Sequence, residues 1–338
     1  MKKTIIIIAA VVALAAAIGL TLAYRTAYNE YEGAEPVRIY IPAGSTAADI
    51  RDVLTSQLGA DFGGDVATLY RLRKGDPART VGSYVISPGD RAWSVNNRLR
   101  TGTQTPVKVT FNNIRNFDQL AGRIADRFSW SAADFAAAAD TVLPEFGFKG
   151  RAEFPAAFIP DSYEFFWTTP ADQVVRRLAT HRGDFWTQAR RDKAARLGLT
   201  PVQVATVASI VEEETAKADE RGRVARLYLN RLDRGMKLQA DPTVKFALGD
   251  FSLRRIGGAM LDTESPYNTY RVNGLPPGPI RVPERSSLEA VLEAPQHNYL
   301  YMCAKSDFSG YHDFAADFDT HRANARAYQT ELNRRGIH

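Results

Sequence analysis

The feature that most constrains this chain lies at its amino terminus, where Thr4 to Tyr24 form a run of 21 residues without a charge, rich in Ile, Ala, Val and Leu. A helix rises about 1.5 Å per residue, so the run is about 30 Å long, the thickness of a bilayer core. Lys2 and Lys3 precede it, and the positive-inside bias then leaves the short N-terminus in the cytoplasm and sends the rest of the chain outward. The competing reading is a cleaved signal peptide, because Ala15-Ala16-Ala17 is a small-residue cluster of the kind signal peptidase accepts. Against cleavage, the apolar run continues through Ile18, Leu20 and Leu22, and Tyr24 suits an interfacial anchor.

Residues 25–36 are polar, end in Pro36 and read as a juxtamembrane linker. With 338 residues in all, the chain has material for roughly two further domains. A charged fraction of 24% without low-complexity stretches excludes a disordered protein. The single cysteine, Cys303, excludes a disulfide scaffold and a zinc site built on paired cysteines, and reads as a buried strand residue. A net charge of +5 suits an anionic polymer or anionic lipid but is no nucleic-acid signature.

After the linker, Val37, Ile39 and Ile41 alternate with polar residues as in a half-buried strand. Pro42-Ala43-Gly44 makes a turn, Ser45 or Thr46 caps a helix carrying Ile50, Val53, Leu54 and Leu58, and a second helix covers about 64–74. Strand, turn and capped helix recur at Tyr84–Ile86 and at Val107–Phe111, an echo without the fixed period of a solenoid. The first copy, VRIYIPAGSTAADIRDVL, resembles a LysM module, the small β-α-α-β unit that binds N-acetylglucosamine polymers. An ordinary α+β domain without ligand is the alternative. Helices are expected at about 170–196, 201–217, 219–234, 286–294 and 317–335, with a Gly/Pro-rich stretch at 257–283 and strands at 298–304 and 311–314.

Several chemistries are absent from the pattern. There is no phosphate-binding glycine loop, no GxSxG elbow and no HExxH, and the five histidines lack metal-ligand spacing, so neither metal nor cofactor is expected. What remains is the helix beginning TPVQVATVASIVEEET. Thr200 is its N-cap, Pro201 its first residue and Gln203 closes a capping box. The helix ends in Glu212, Glu213 and Glu214, which point about 100° apart and cannot share one medium. Glu212 follows Ala208 by four residues, on the side of the small apolar positions, and is the one expected against the protein body; Glu213 is expected toward solvent. A carboxyl in a partly apolar setting has a raised pKa and can donate a proton at neutral pH. A solvated acidic patch is the plain alternative, although acids at a helix C-terminus oppose the macrodipole. Downstream, Gln239 and Asp241 sit in an expected loop, where Asp241 could instead cap a helix before Pro242. The segment SPYNTY adds Tyr267, Asn268 and Tyr270. Aromatic faces beside amides and carboxylates suit sugars; a well-packed surface loop stiffened by Pro276, Pro277 and Pro279 is the alternative.

Taken together, SIVEEET, RLYLNRLDRGMKLQADPT, SPYNTYRVNGLPPGPI and a late YLYMCA…HDF resemble the endolytic lytic transglycosylase family (MltG, YceG-like). The likeness is strongest over 203–315, and FIPDSY at 158–163 also resembles a family segment. The resemblance implies an α+β protein with an N-terminal transmembrane helix (1–24), a linker (25–36), a LysM-like β-α-α-β subdomain (37–105) and a helix-rich α+β catalytic domain (106–338). It implies a single-pass enzyme of the inner (plasma) membrane with its catalytic domain periplasmic. Such an enzyme cuts the MurNAc–GlcNAc β-1,4 bond of peptidoglycan and leaves 1,6-anhydroMurNAc ends, terminating nascent strands. It needs no cofactor; its partners are glycan strands, the bilayer through residues 4–24 and peptidoglycan synthases, and no nucleic acid. The resemblance places the catalytic carboxyl on Glu212, the first acid of an E-x-E-T motif completed by Glu214 and Thr215. Glu214, Thr215, Gln239, Asp241, Tyr267, Asn268, Tyr270 and, more weakly, His312 are the candidate substrate-binding residues. Two alternatives stand beside it: a muramidase that uses water, and a membrane-tethered wall-binding or division scaffold without catalysis.

Overall fold

The computed structural model describes residues 2–253 and 255–336; His338 lies outside them. The chain divides into two compact units, Met1–Val109 with Arg127–Ser129 and Tyr163–Thr169, and Thr110–Asp126 with Trp130–Ser162 and Pro170–His338.

The first unit opens with α1 (Lys2–Tyr28), none of whose residues is buried and which is long and apolar enough to cross a membrane. It continues as β1 (Val37–Ile41), α2 (Ala47–Leu58), α3 (Ala60–Leu72), the single turn α4 (Pro77–Thr80), β2 (Gly82–Ile86), α5 (Ala92–Thr101) and β3 (Val107–Thr110). The strand β1 pairs antiparallel with β2, Ile39 opposite Tyr84 and Ile41 opposite Gly82. The period-2 pattern aims Ile39, Ile41, Tyr84 and Ile86 inward, where they meet Ile50, Leu54, Phe62 and Val66 from the helices. Thr46 and Asp49 form a reciprocal capping box at the start of α2. So β1, α2, α3 and β2 follow one another in that order with the turn α4 before β2, and α3 starts four residues earlier than the sequence suggests. The expected linker is shorter. Helix α1 runs on past Tyr24, and Thr26 and Asn29 donate to the Asp65 carboxylate of α3 at 3.1 and 2.9 Å. Residues 29–31 are then laced to 89–92 by backbone hydrogen bonds.

The strand β4 (Ser162–Phe165), which pairs with β3, belongs to the first unit from Tyr163 on; the second unit carries α6 (Phe117–Ala125), α7 (Ala132–Val142), α8 (Ala171–Phe185), α9 (Gln188–Arg196), α10 (Pro201–Glu214), α11 (Arg221–Asp233), α12 (Asp241–Leu248), α13 (Arg285–Leu292), the antiparallel hairpin β5 (Tyr301–Ala304) and β6 (His312–Ala315), and α14 (Phe318–Arg334). A phenylalanine cluster fills the region under α6 and α7, with Phe117 edge-on to Phe154 at 5.3 Å and near Phe158. The single helix expected over 170–196 is broken at Trp186, and Thr187 caps the second piece. Helix α7, with Phe135, Ala139 and Val142 buried along one face, is not among the expected helices, and α12 forms where a helix at Pro242 is the alternative to a loop. Cys303 lies on a strand as expected but is half-buried.

Helix α10 is the centre of this unit. Its capping box forms as the sequence predicts, Thr200 and Gln203 bonding reciprocally. Val204, Ala205, Val207, Ala208, Ile210 and Val211 are all buried, so the helix is apolar on every side and enclosed by α9, α11, α12 and α13. Its last turn delivers the three glutamates.

Candidate active site

Glu212 and Glu214 are two residues apart, about 200° around the helix, and the structure sends them to opposite surroundings. The Glu212 side chain is 2% exposed and pairs with Arg281 at 3.0 Å. Its second oxygen accepts the backbone N–H of Glu284 at 2.8 Å. Burial pushes its pKa up, while Arg281, Ser287 and the Glu284 N–H pull the other way. Glu213 does not point to solvent: it takes Arg281 at 2.6 Å and Arg115 at 2.9 Å. Two carboxylates and two guanidiniums thus form a charge-balanced cluster, buried at Glu212 and Arg281 and partly exposed at Arg115, and the Asn113 carboxamide oxygen accepts a further N–H of Arg281. Arg281 is brought there by the Gly/Pro-rich stretch, which crosses α10 with the Ile280 N–H on Ser209 and the Val282 N–H on the Ile114 carbonyl. Gly278 makes this possible, because the Ala152 carbonyl leaves no room there for a Cβ.

Glu214 instead lines a cavity of about 240 Å³ together with Tyr228, Gln239, Asp241, Tyr270 and His312. The Tyr228 hydroxyl donates to Glu214 Oε1 at 2.6 Å. Burial pushes the carboxyl up to about 7; the Tyr228 hydrogen bond lowers it, the Asp241 charge raises it, and His312 and Lys245 lower it. This carboxyl is therefore held near half-protonation at neutral pH, the condition for donating and then reaccepting a proton.

The walls are built by neighbouring elements. Asp241 opens α12 and does not cap it: its carboxylate accepts the Tyr270 hydroxyl at 2.6 Å. Gln239 adopts φ +49, a left-handed conformation uncommon for its type, and is held there by its N–H on the Thr269 carbonyl at 3.1 Å. Arg231 lies beneath, its guanidinium donating to the carbonyls of Leu300 and Leu238 at 2.6 Å each. His312 enters from β6. Its Nδ1 and backbone N–H both meet the Glu220 carboxylate at 2.8 Å, and Glu220 also accepts the Thr215 hydroxyl at 3.0 Å.

The structure thus brings Glu214, Gln239, Asp241, Tyr270 and His312 together and leaves four of the expected residues outside the lining. Glu212 lies in the ion-pair cluster. Thr215 donates to the Glu220 carboxylate. Asn268 is fully buried, its amide donating to the carbonyls of Leu261 and Thr263 while its oxygen accepts the Tyr270 N–H. Tyr267 packs on Phe246, ring centroids 4.7 Å apart. Sequence reasoning missed Tyr228, Glu220, Arg231 and Arg281. Only Arg281 had a signal, a lone charge at the end of a stiff Pro-rich stretch.

The chain is similar to known proteins. A family model described as the YceG-like family matches residues 39–327. The endolytic murein transglycosylase of Bacillus subtilis is 27% identical over 302 residues, covering 82% of this chain and 81% of that protein. The protein of the same name from Streptococcus pneumoniae serotype 2 is 34% identical over 110 residues, 31% of this chain and 20% of that protein. A YceG-like protein from Listeria monocytogenes, solved by crystallography, superposes with a TM-score of 0.57 at 26% identity, covering 86% of this chain and 99% of that one.

Proposed function

The chain belongs to the YceG-like family, and we propose that it is a membrane-anchored endolytic lytic transglycosylase of peptidoglycan in which Glu214 is the proton-transferring carboxyl. The observation that carries the reading is the Glu214 carboxyl, pushed up to about 7 by burial, on the wall of a cavity lined by Tyr228, Asp241, Tyr270 and His312. The cavity is smaller than the range of about 300–1,000 Å³ usual for whole small ligands, as suits a groove that holds part of a polymer.

In the reaction, protonated Glu214 gives its proton to the glycosidic oxygen as the bond from the MurNAc anomeric carbon breaks. The 6-hydroxyl of the same sugar bonds to that carbon and returns a proton to the Glu214 carboxylate. No water is consumed and one acid serves both halves. The Tyr228 hydroxyl donates to the carboxylate that exists between the halves. The Asp241–Tyr270 pair and Gln239 present fixed polar groups to sugar hydroxyls. Glu212, the acid favoured by the sequence, has the opposite character: its oxygens are occupied by Arg281 and the Glu284 N–H, outside the cavity, and it positions the end of α10.

Residues 4–24 serve as the anchor, with catalysis on the outer side of the membrane near sites of strand synthesis. The β-α-α-β unit of the first domain is the LysM-like element and a second contact for glycan. One observation favours a hydrolytic muramidase: Asp241 shares the cavity with Glu214 and could act as the second carboxylate that hydrolases use. Product masses decide. Full-length protein in detergent, incubated with uncrosslinked glycan strands, is expected to release internal fragments ending in 1,6-anhydroMurNAc, each one water lighter than a reducing-end fragment. Reducing ends alone would establish hydrolysis, and intact strands would establish a binding protein.

A further inference from the structure

The end of α1 fixes what lies beside the bilayer. Its apolar run stops at Tyr24 and the helix continues one turn to Tyr28, about 6 Å further along its axis. The polar layer flanking a bilayer core is about 5–8 Å deep on each side. Groups held level with Tyr28 and Asn29 therefore lie among lipid headgroups, given the reading of α1 as a membrane span. The first unit is held at that level. The Ala92 N–H bonds the Asn29 carbonyl at 2.9 Å, and α1 packs on α3 and α5.

The residue after Ala92 is Trp93, 45% exposed, and the guanidinium of Arg73 covers its ring at 3.8 Å from the centroid. Neighbouring Leu72 is 67% exposed. Arg73 is oriented by the carboxamide oxygens of Asn96 and Asn97 at 2.9 and 2.6 Å. Among the described residues no carboxylate pairs with it; burial lowers its pKa, and the charge of neighbouring Arg100 lowers it further. An exposed indole and an exposed leucine are costly in water, and beside two guanidiniums without carboxylate partners they are complementary to a headgroup layer. Trp prefers that depth, and arginine binds phosphate oxygens through paired N–H groups.

We infer that Trp93, Leu72, Arg73 and Arg100 form a membrane-facing patch that binds anionic phospholipid headgroups of the bilayer that α1 crosses. The patch sets the tilt of the first unit on the membrane surface, so that the unit is docked to lipid rather than tethered above it. The anchor provides the apolar attachment, and the patch adds one rotational constraint.

The test uses the full chain in vesicles of phosphatidylcholine with and without phosphatidylglycerol, prepared with plain lipid or with lipid brominated near the top of the acyl chain. The Trp93 signal is the difference between wild-type emission and that of Trp93→Phe, a change at an exposed ring that spares the core. Most of that signal is expected to be lost in brominated lipid. The loss is greater when phosphatidylglycerol is present, and an Arg73→Gln/Arg100→Gln variant loses the dependence on anionic lipid. Equal Trp93 emission in plain and brominated vesicles, from protein that floats with them, overturns the patch and leaves the anchor standing. Protein that does not float overturns the anchor, and the patch with it.

Discussion

Replacing Tyr228 by Phe separates the roles of the Glu214 surroundings, because it removes one hydrogen bond and little volume. The hydroxyl donates to Glu214 Oε1 at 2.6 Å and favours the carboxylate over the acid. Hydrogen bonds to charged groups are worth about 1.5–3 kcal/mol, and about 1.4 kcal/mol corresponds to one pH unit. The Glu214 pKa of about 7 should therefore rise by about 1–2 pH units in Tyr228→Phe. Since the reaction starts from the protonated acid, kcat/KM for glycan cleavage falls as pH rises through that pKa. The descending limb should move from near pH 7 to about pH 8–9, while the plateau at lower pH drops because the intermediate carboxylate has lost a donor. The assay is a pH profile of fragment release from glycan strands, with circular dichroism confirming that the variant is folded at each pH. A limb that stays near pH 7, or moves to acid, refutes the assignment of Glu214 as the group that must be protonated.

Asp241→Asn should do the reverse and shift the limb to lower pH, because the Asp241 charge raises the Glu214 pKa; coincident profiles for variant and wild type would contradict this. Stability carries the same signature. A carboxyl with a folded pKa near 7 and an unfolded value near 4.5 opposes folding increasingly as pH rises between the two. Glu214→Gln should therefore gain up to about 3 kcal/mol over wild type between pH 4.5 and 8, read from urea unfolding at both ends. Arg281→Met strands the buried Glu212 carboxylate and weakens Glu213, at a cost of about 3–5 kcal/mol in the same assay. Gly278→Ala forces the backbone of the Arg281 segment away from Ala152 and should lower Tm as well.

The parts of the fold that can be read from sequence are those where local chemistry and tertiary packing agree. The anchor run, the β1-turn-α2 pattern with its Thr46 cap, and α10 with Thr200, Pro201 and Gln203 all appear where composition and capping place them. Helix α12 was hidden because its eight residues begin inside a loop-like QADP, and Asp241 found a partner in Tyr270 instead of capping the helix. The glutamates show a deeper limit. Periodicity dictates that Glu212 and Glu214 face opposite ways, but it does not say which side holds an arginine and which a cavity. Burial alone favours Glu212, and what distinguishes the surroundings of the two is Arg281 and Tyr228, 69 and 14 residues further along the chain from Glu212 and Glu214. Likewise, of the SPYNTY residues that the sequence suggests for sugar contacts, only Tyr270 reaches the cavity; Asn268 spends its amide on backbone carbonyls.

The central claim is that one carboxyl, on Glu214, transfers the proton. Its most direct test compares wild type, Glu214→Gln and Glu212→Gln for the rate at which 1,6-anhydroMurNAc ends accumulate, at equal amounts of folded protein. Glu214→Gln should release none, because the amide has no proton to give at neutral pH, while Glu212→Gln should retain cleavage, with its loss confined to stability. Anhydro ends formed by Glu214→Gln at the wild-type rate, with cleavage abolished in folded Glu212→Gln, would contradict the claim.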